Sequence, residues 1–287
     1  MFALLSTRFY CLKIDHLIKR NGIKHYLNSL AIDYINEDRN LALIERLQAA
    51  HLARYSFSSV NALQAKSLSL DDDKVFSRLI NLQEGGYCFE HNKIFFLALV
   101  ALGFDVEILI ARVMLNGREE NPRSHRLTKL TLEGKHYLLD VGFGVSTPVI
   151  ALPIDQSSRV SEGVNLYEIS RRDRLIDVRQ VLPNAQHLYR VELAQFYESD
   201  CEIAHFYSHH HPDAAFVNNL VVSRIEKGER WLIRNNLLHY WHETSAVHTQ
   251  QVIQSREQLH TLLTDTFLLN VSKATSAWLM ERYVLAA

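Results

Sequence analysis

Gly85-Gly86-Tyr87-Cys88-Phe89-Glu90-His91-Asn92 sets one cysteine between a di-glycine and an apolar run, Ile94 to Leu102. With Phe89 to Lys93 included, that run is long enough for a helix, and Gly103 stands where a C-terminal stop is expected. Cys88 therefore falls at or just before a helix N-terminus. A thiol there faces unpaired backbone N–H groups and the positive end of the helix dipole, the setting in which nucleophilic thiolates are made. Glu90 and Asn92 are expected to add hydrogen bonds to the first turn. Position alone does not decide the matter, because most lone cysteines are small, inert core residues.

A nucleophile needs a base, and the base needs an orienting group. Downstream, Arg123-Ser124-His125 opens a segment that reads as a strand over Arg126 to Leu132. Glu133-Gly134-Lys135 reads as a tight turn, and His136 to Val141 as the returning strand, ending in Gly142-Phe143-Gly144. A hairpin turned at Gly134 brings His125 and Asp140 towards the same end of both strands. An imidazole there can take the proton of Cys88, while a carboxylate fixes its tautomer and stabilises its charged form. The chain has 15 histidines, so a His near an Asp in sequence means little by itself. The weight comes from three residue types, each at an element boundary where a side chain can project into a cleft.

Gly85 to Asn92, the His125-Arg126-Leu127 segment and Asp140-Val141-Gly142-Phe143-Gly144 closely resemble the arylamine N-acetyltransferase family. Its motifs R-G-G-x-C-x-E-x-N, a histidine before a strand, and D-V-G-F-G come in this order at similar spacing. His51 to Asn61 resembles the family's H-x-x-x-I-P-F-E-N segment, and His209-His210-His211-Pro212-Asp213 with Phe216 its T-H-P-x-S-x-F segment. The similarity runs from about residue 24 to the C-terminus. It implies an α+β fold: an N-terminal helical bundle, a central β-barrel and a C-terminal α/β lid, with a cysteine-protease-like Cys-His-Asp triad where the first two meet. The corresponding division is 1–103 carrying Cys88, 104–213 carrying His125 and Asp140, and 214–287 as the lid.

The resemblance further implies acetyl-coenzyme A as acyl donor and a small aromatic amine or hydrazine as acceptor. A ping-pong reaction would run through acetyl-Cys88, with backbone N–H groups of Cys88 and Phe89 facing the oxyanion. Gly142-Phe143-Gly144-Val145-Ser146-Thr147 looks like the family's coenzyme loop; Gly142, Gly144, Ser146 and Thr147 are the expected contacts. Phe57, Tyr87, Val113 and Phe143 are the side chains expected around the acceptor, where apolar walls suit a flat ring and exclude water. The residues alone leave other readings open. These are a different acyl transfer by the same triad, such as macrolactam-type amide formation, thiol-protease-like hydrolysis, or a non-catalytic scaffold.

The chain departs from the family pattern near the nucleophile. Glu84 stands where the family has arginine, and Tyr55-Ser56-Phe57-Ser58-Ser59 replaces I-P-F-E-N. If the family's arginine and glutamate interact, both ends have changed, which leaves no single stranded charge. None of the three triad positions is altered.

Composition agrees with this class. The chain has 287 residues, is 47% hydrophobic and has a formal net charge of −1, so no global field draws nucleic acid or an anionic membrane. Three cysteines, Cys11, Cys88 and Cys201, argue against a disulfide framework and for a reducing, cytoplasmic setting. The apolar run Ile94 to Leu102 falls far below the roughly 20 residues a spanning helix needs, and the first dozen residues lack a signal-peptide pattern. His205, His209, His210 and His211 suggest a metal, yet contiguous histidines cannot converge on one ion and only Glu202 is well spaced; no metal is expected.

Elsewhere the pattern is coarse. Residues 1 to about 22 read as an extra helix or a tail, and Ile23 to Leu82 as mainly helical. That helical part has apolar stripes Leu43-Ile44-Leu47 and Val75-Phe76-Leu79-Ile80, and Asp71 or Asp72 as a cap. Short β-like runs follow: Val106 to Leu115, Leu166 to Ser170 and His187 to Leu193, with two more after Phe216. Helices are expected from near Ser255, where Ser255 to Gln258 fits a capping box, and near Ser272.

Overall fold

Apolar stripes and caps build the helical layer. The computed structural model describes residues 21–35, 38–243 and 247–286, so Cys11 and the expected N-terminal helix or tail lie outside the described residues, apart from residues 21 and 22. Helix α1 is Asn21–Ser29 and α2 is Leu41–Arg54. The side chain of Asn40 accepts the Leu43 N–H at 2.9 Å and starts α2, whose Leu43, Ile44 and Leu47 are buried. A two-residue strand, β1 (Phe57–Ser58), and a single turn, α3 (Val60–Leu63), interrupt the expected run of helices. Asp71 caps α4 (Asp72–Phe76) by accepting the Lys74 N–H, and a π-helical turn, Ser77–Asn81, continues it. Helix α5 begins at Cys88 itself and runs to Ala101; Gly103, at φ +81°, supplies the left-handed stop.

An eight-stranded antiparallel sheet follows, rolled into a nearly closed barrel. Its strands are β2 (Asp105–Val113), β3 (Arg123–Leu132), β4 (Lys135–Leu139), β5 (Leu152–Pro153), β6 (Ser158–Glu162), β7 (Asn165–Arg172), β8 (Leu175–Leu182) and β9 (Gln186–Glu192). The spatial order is β5-β4-β3-β2-β9-β8-β7-β6. Glu133 and Gly134, at φ +51° and +74°, close the two-residue β3–β4 hairpin expected from the sequence, with Leu132 opposite Lys135. Alternation sorts β2 and β3: Leu109, Ala111 and Leu127 fill the barrel, while Ile110 and Leu130 pack with the helices.

Helices α6 (Glu198–His210) and α7 (Ala215–Asn218) lead into a second antiparallel sheet of β10 (Val221–Glu226), β11 (Glu229–Arg234), β12 (Leu237–His242) and β13 (Val247–Val252). Four strands form where two were expected. Strand β1 joins the edge of this sheet beside β10, pairing Phe57 with Ser223. Helices α8 (Arg256–Thr261) and α9 (Lys273–Leu279) begin where expected, capped by the hydroxyls of Ser255 and Ser272. The Gln258 side chain, expected to answer the Ser255 N–H, instead accepts the Gln254 N–H at 2.8 Å. Leu220, Val222, Ile233, Leu259, Leu263 and Phe267 make the core of this last part.

Candidate active site

Cys88 begins α5, so its N–H and that of Phe89 have no carbonyl four residues back within the helix. The first bonds of the turn are Glu90 and His91 N–H to the Tyr87 carbonyl, at 3.0 and 3.1 Å. Glu90, fully buried, accepts the Tyr87 N–H at 3.1 Å and receives Arg78 at 2.9 and 2.7 Å, which anchors the turn. Burial pushes the Glu90 carboxyl up, with Arg78 opposing. At Gly86 a Cβ would sit 2.8 Å from the Glu90 carboxylate and press on the side chain that anchors the turn.

His125 reaches the thiol through an irregularity. In the β2–β3 pairing Ala111 faces His125 and Arg112 faces Arg123, so Ser124 is an extra, bulged residue. Bulges bend a strand and re-aim its side chains. The Ser124 carbonyl accepts the Cys88 S–H at 3.6 Å, and the next residue, His125, is near enough to Cys88 for the sulfur to favour its charged form. Asp140, just past β4, accepts from His125 Nε2 at 2.6 Å, which leaves Nδ1 as the nitrogen that serves Cys88. The three residues are almost fully buried.

The carboxylate is held from every side. Its second oxygen accepts Asn92 Nδ2–H at 2.9 Å and the Gly142 N–H at 2.8 Å. Asn92 also donates to the Arg126 carbonyl at 2.6 Å and accepts the Val141 N–H at 3.0 Å, so one amide ties α5, β3 and the loop after β4. Arg126, fully buried, forms a bidentate pair with Glu198 at 2.8 and 2.7 Å that fastens β3 to α6. Burial works against charge on His125. The charge of Asp140 and its hydrogen bond, together with Cys88, outweigh that penalty and raise the imidazolium to about 10.

The remaining expected site residues divide. Phe143 stands edge-on to the His125 ring, centroids 4.9 Å apart, with Tyr189 completing the wall. Phe57 packs against Phe216 and His91 and, with Val141 and Gly144, borders a niche of only about 10 Å³. Val113 ends β2 opposite Tyr189. Tyr87 is buried, its ring stacked on His205 and its hydroxyl meeting His205 Nδ1 at 2.6 Å.

In the loop, Gly142 is needed for a reason other than ligand approach. A Cβ there would lie 2.8 Å from Cys88 Cα and 2.7 Å from Asn92 Nδ2. Gly144 takes φ +74° and begins a short 3₁₀ turn, Gly144–Ser146. Thr147 is buried and its hydroxyl donates back to the Gly144 carbonyl at 2.8 Å, so it is spent inside the loop. Ser146 instead borders a cleft of about 310 Å³ between barrel and C-terminal sheet, with Gln180, Asn184, Arg230, Trp241 and His248. Arg230 went unnoticed in the sequence. It donates to the Val145 and Thr147 carbonyls at 2.9 and 2.8 Å and pairs with Glu162 and Glu243 at 3.1 and 2.6 Å.

A larger groove, about 600 Å³, lies between residues 67–73 and α6, and its walls include none of Cys88, His125 or Asp140. There His205 and His209 are spent on internal bonds: His205 meets the Tyr87 hydroxyl and the Leu68 carbonyl, and His209 the His205 carbonyl. Glu84, the reversed charge, is met by Lys66 at 3.1 Å, partly exposed.

A helix-borne thiol beside a carboxylate-held imidazole, between a helical layer and a barrel, defines a class of cysteine-dependent group-transfer and hydrolytic proteins. Comparison with known proteins narrows that class. The chain belongs to the N-acetyltransferase family, whose model matches residues 40–276. An arylamine N-acetyltransferase of Escherichia coli K12 is 28% identical over 252 residues, 86% of this chain and 88% of the relative. Among solved structures, the arylamine N-acetyltransferase of Salmonella typhimurium superposes with a TM-score of 0.84 at 25% identity, covering 91% of this chain and 98% of that one. The Mycobacterium marinum enzyme, solved in complex with CoA, gives 0.84 at 20% identity, over 91% and 99%. The motif resemblance and the α+β architecture are borne out, and the chain is an acyltransferase.

Proposed function

We propose that this protein moves an acetyl group from acetyl-coenzyme A to the nitrogen of a small aromatic amine or hydrazine, through acetyl-Cys88. One observation carries the reading: His125 is bonded to Asp140 through Nε2 at 2.6 Å, while Cys88, at the start of its helix, bonds the carbonyl of the adjacent Ser124 at 3.6 Å. With the proton of the Cys88 thiol held on His125 Nδ1, the sulfur attacks the thioester carbonyl. The carbon–sulfur bond to coenzyme A breaks, and its thiol leaves with that proton. One thioester replaces another, so the acyl group keeps its transfer potential. The amine then attacks acetyl-Cys88, His125 accepts its proton, and the Cys88 thiol is restored.

The free N–H groups at Cys88 and Phe89 are suited to the tetrahedral oxyanion. Phe143 and Tyr189 beside His125 give a flat acceptor an aromatic wall, with Phe57 and Val113 further out. Gly142, Gly144 and Ser146 put the coenzyme along the loop and into the adjoining cleft. In this reading residues 1–103 supply the nucleophile, 104–213 the base and its carboxylate, and 214–287 the cover. No described helix is long and apolar enough to cross a membrane; a reducing cytoplasm suits a reactive thiol.

Intact-protein mass spectrometry after brief exposure to acetyl-CoA without amine tests the reading. One acetyl group on Cys88, discharged by aniline, is expected. An unmodified Cys88 that still alkylates readily would overturn acetyl-CoA as donor.

A further inference from the structure

A line of buried hydrogen bonds runs through the helical layer and ends at the nucleophile loop. The Tyr26 hydroxyl on α1 meets His51 Nδ1 on α2 at 2.7 Å. His51 Nε2 meets His91 Nδ1 on α5 at 2.8 Å, and His91 Nε2 meets the Gly86 carbonyl at 3.1 Å. All three side chains are at most 1% exposed. His51 lies in a segment resembling the family, but His91 stands at a position the C-x-E-x-N motif leaves open.

The protons in this line are fixed by its last acceptor. A carbonyl can only accept, so His91 carries its proton on Nε2 and presents a lone pair at Nδ1. His51 must then donate from Nε2 and accept at Nδ1, which obliges Tyr26 to donate. The chain runs one way only: Tyr26 to His51 to His91 to Gly86. It also requires both rings to be neutral. Burial pushes His91 down to about 4, partly offset by the Gly86 and Ser56 backbone and by Asp140, and burial next to His91 holds His51 well below its ordinary range.

The Gly86 carbonyl also accepts the Ser58 N–H at 2.6 Å, and the Tyr87 N–H on the other side of the same peptide is taken by Glu90. The Gly86–Tyr87 peptide plane is thus clamped at both ends, directly before the residue that carries the thiol. We propose that Tyr26, His51 and His91 are positioning residues for Cys88, a one-way chain of hydrogen bonds that sets the Gly86–Tyr87 peptide and so aims the thiol at His125. The role is distinct from ordinary core packing because it depends on donor and acceptor direction, not on shape. It rests on the acetyl-Cys88 reading for its consequence in catalysis, though not for its effect on thiol reactivity.

Two variants at one position separate the two roles. A glutamine amide, like the neutral imidazole, accepts at one atom and donates at another; leucine does neither. His91→Leu is expected to lower the single-turnover rate of Cys88 acetylation roughly tenfold with half-saturating acetyl-CoA unchanged, and His91→Gln to recover most of that rate. Iodoacetamide alkylation of Cys88 should follow the same order. That readout holds even if acetyl-CoA proves the wrong donor, so the two failures are distinguishable. Tyr26→Phe, which keeps the ring, is the second variant should His91→Leu not fold, with a smaller loss of the same kind. Nitrogen-15 NMR of the wild-type rings should show both neutral and protonated on Nε2. A His91→Leu enzyme as fast as wild type, equal losses in the leucine and glutamine variants, or an Nδ1 proton on either ring would overturn the proposal.

Discussion

Asp140→Asn tests the site most sharply, because the structure dictates which way the new amide must point. One carboxylate oxygen receives two donors, Asn92 Nδ2–H and the Gly142 N–H, so the amide oxygen has to stay there. The amide nitrogen is then forced towards His125 Nε2, now 2.6 Å from the other oxygen. A donor facing Nε2 selects the tautomer with its proton on Nδ1, aimed at Cys88, and that tautomer cannot accept the thiol proton. The charge that, against burial and together with its hydrogen bond and Cys88, raises His125 from 6.5 to about 10 is lost as well. At ~1.4 kcal/mol per pH decade the net shift corresponds to roughly 5 kcal/mol, a scale of three to four decades in rate. Quenched-flow acetylation of Cys88 at pH 7 is expected to slow about 10³–10⁴-fold, with circular dichroism unchanged. Stability supplies a second readout. A raised folded-state imidazolium stabilises fully below pH 6.5 and is lost as pH rises through about 10, so wild-type stability should decline across that window. The decline should be absent in the variant. Acetylation within tenfold of wild type would mean that another group orients His125.

Gly142→Ala should cost about 1–3 kcal/mol in urea denaturation, because its Cβ would press on Cys88 Cα at 2.8 Å, a backbone atom that cannot yield. The Cys201 thiol, pushed up to about 11 by burial, should stay unmodified when iodoacetamide at pH 7 has consumed Cys88, as peptide mapping would show. Glu84→Arg removes the Lys66 pair and restores the family residue. Because that pair is partly exposed, stability should shift by no more than about 1 kcal/mol and acetylation by less than about twofold; a larger loss of rate would show that Glu84 reaches the nucleophile loop.

The placement of Cys88, His125 and Asp140 was legible because each sits where a local signal changes: a di-glycine before an apolar run, a strand start, a strand end. The hairpin was legible too, since Glu133-Gly134 offers the positive φ that a two-residue turn needs. The bulge at Ser124, which aims His125, leaves no such mark, being a mismatch between two strands and not a property of either. Asn92 was expected to serve its own helix turn; its partners Asp140 and Val141 are far along the chain and appear only once α5 meets the barrel. The partner of Tyr87 was hidden for the same reason, as His205 comes from α6. Strand β6 carries Ser158-Arg159-Val160-Ser161-Glu162, polar on both faces, and β13 is exposed throughout, so hydrophobic alternation could not announce them.

Strand β1 has a consequence for the order in which the protein matures during synthesis. Phe57 bridges Gly86 on one side and pairs with Ser223 on the other, so the loop before Cys88 leans on a strand that itself leans on the second sheet. Two residues cannot hold an extended conformation without that neighbour. A ribosome-borne chain has therefore released helices α1–α7 and all eight barrel strands before β10 emerges to brace the loop. The reactive sulfur thus comes early in the sequence, while the strand that braces its loop comes late.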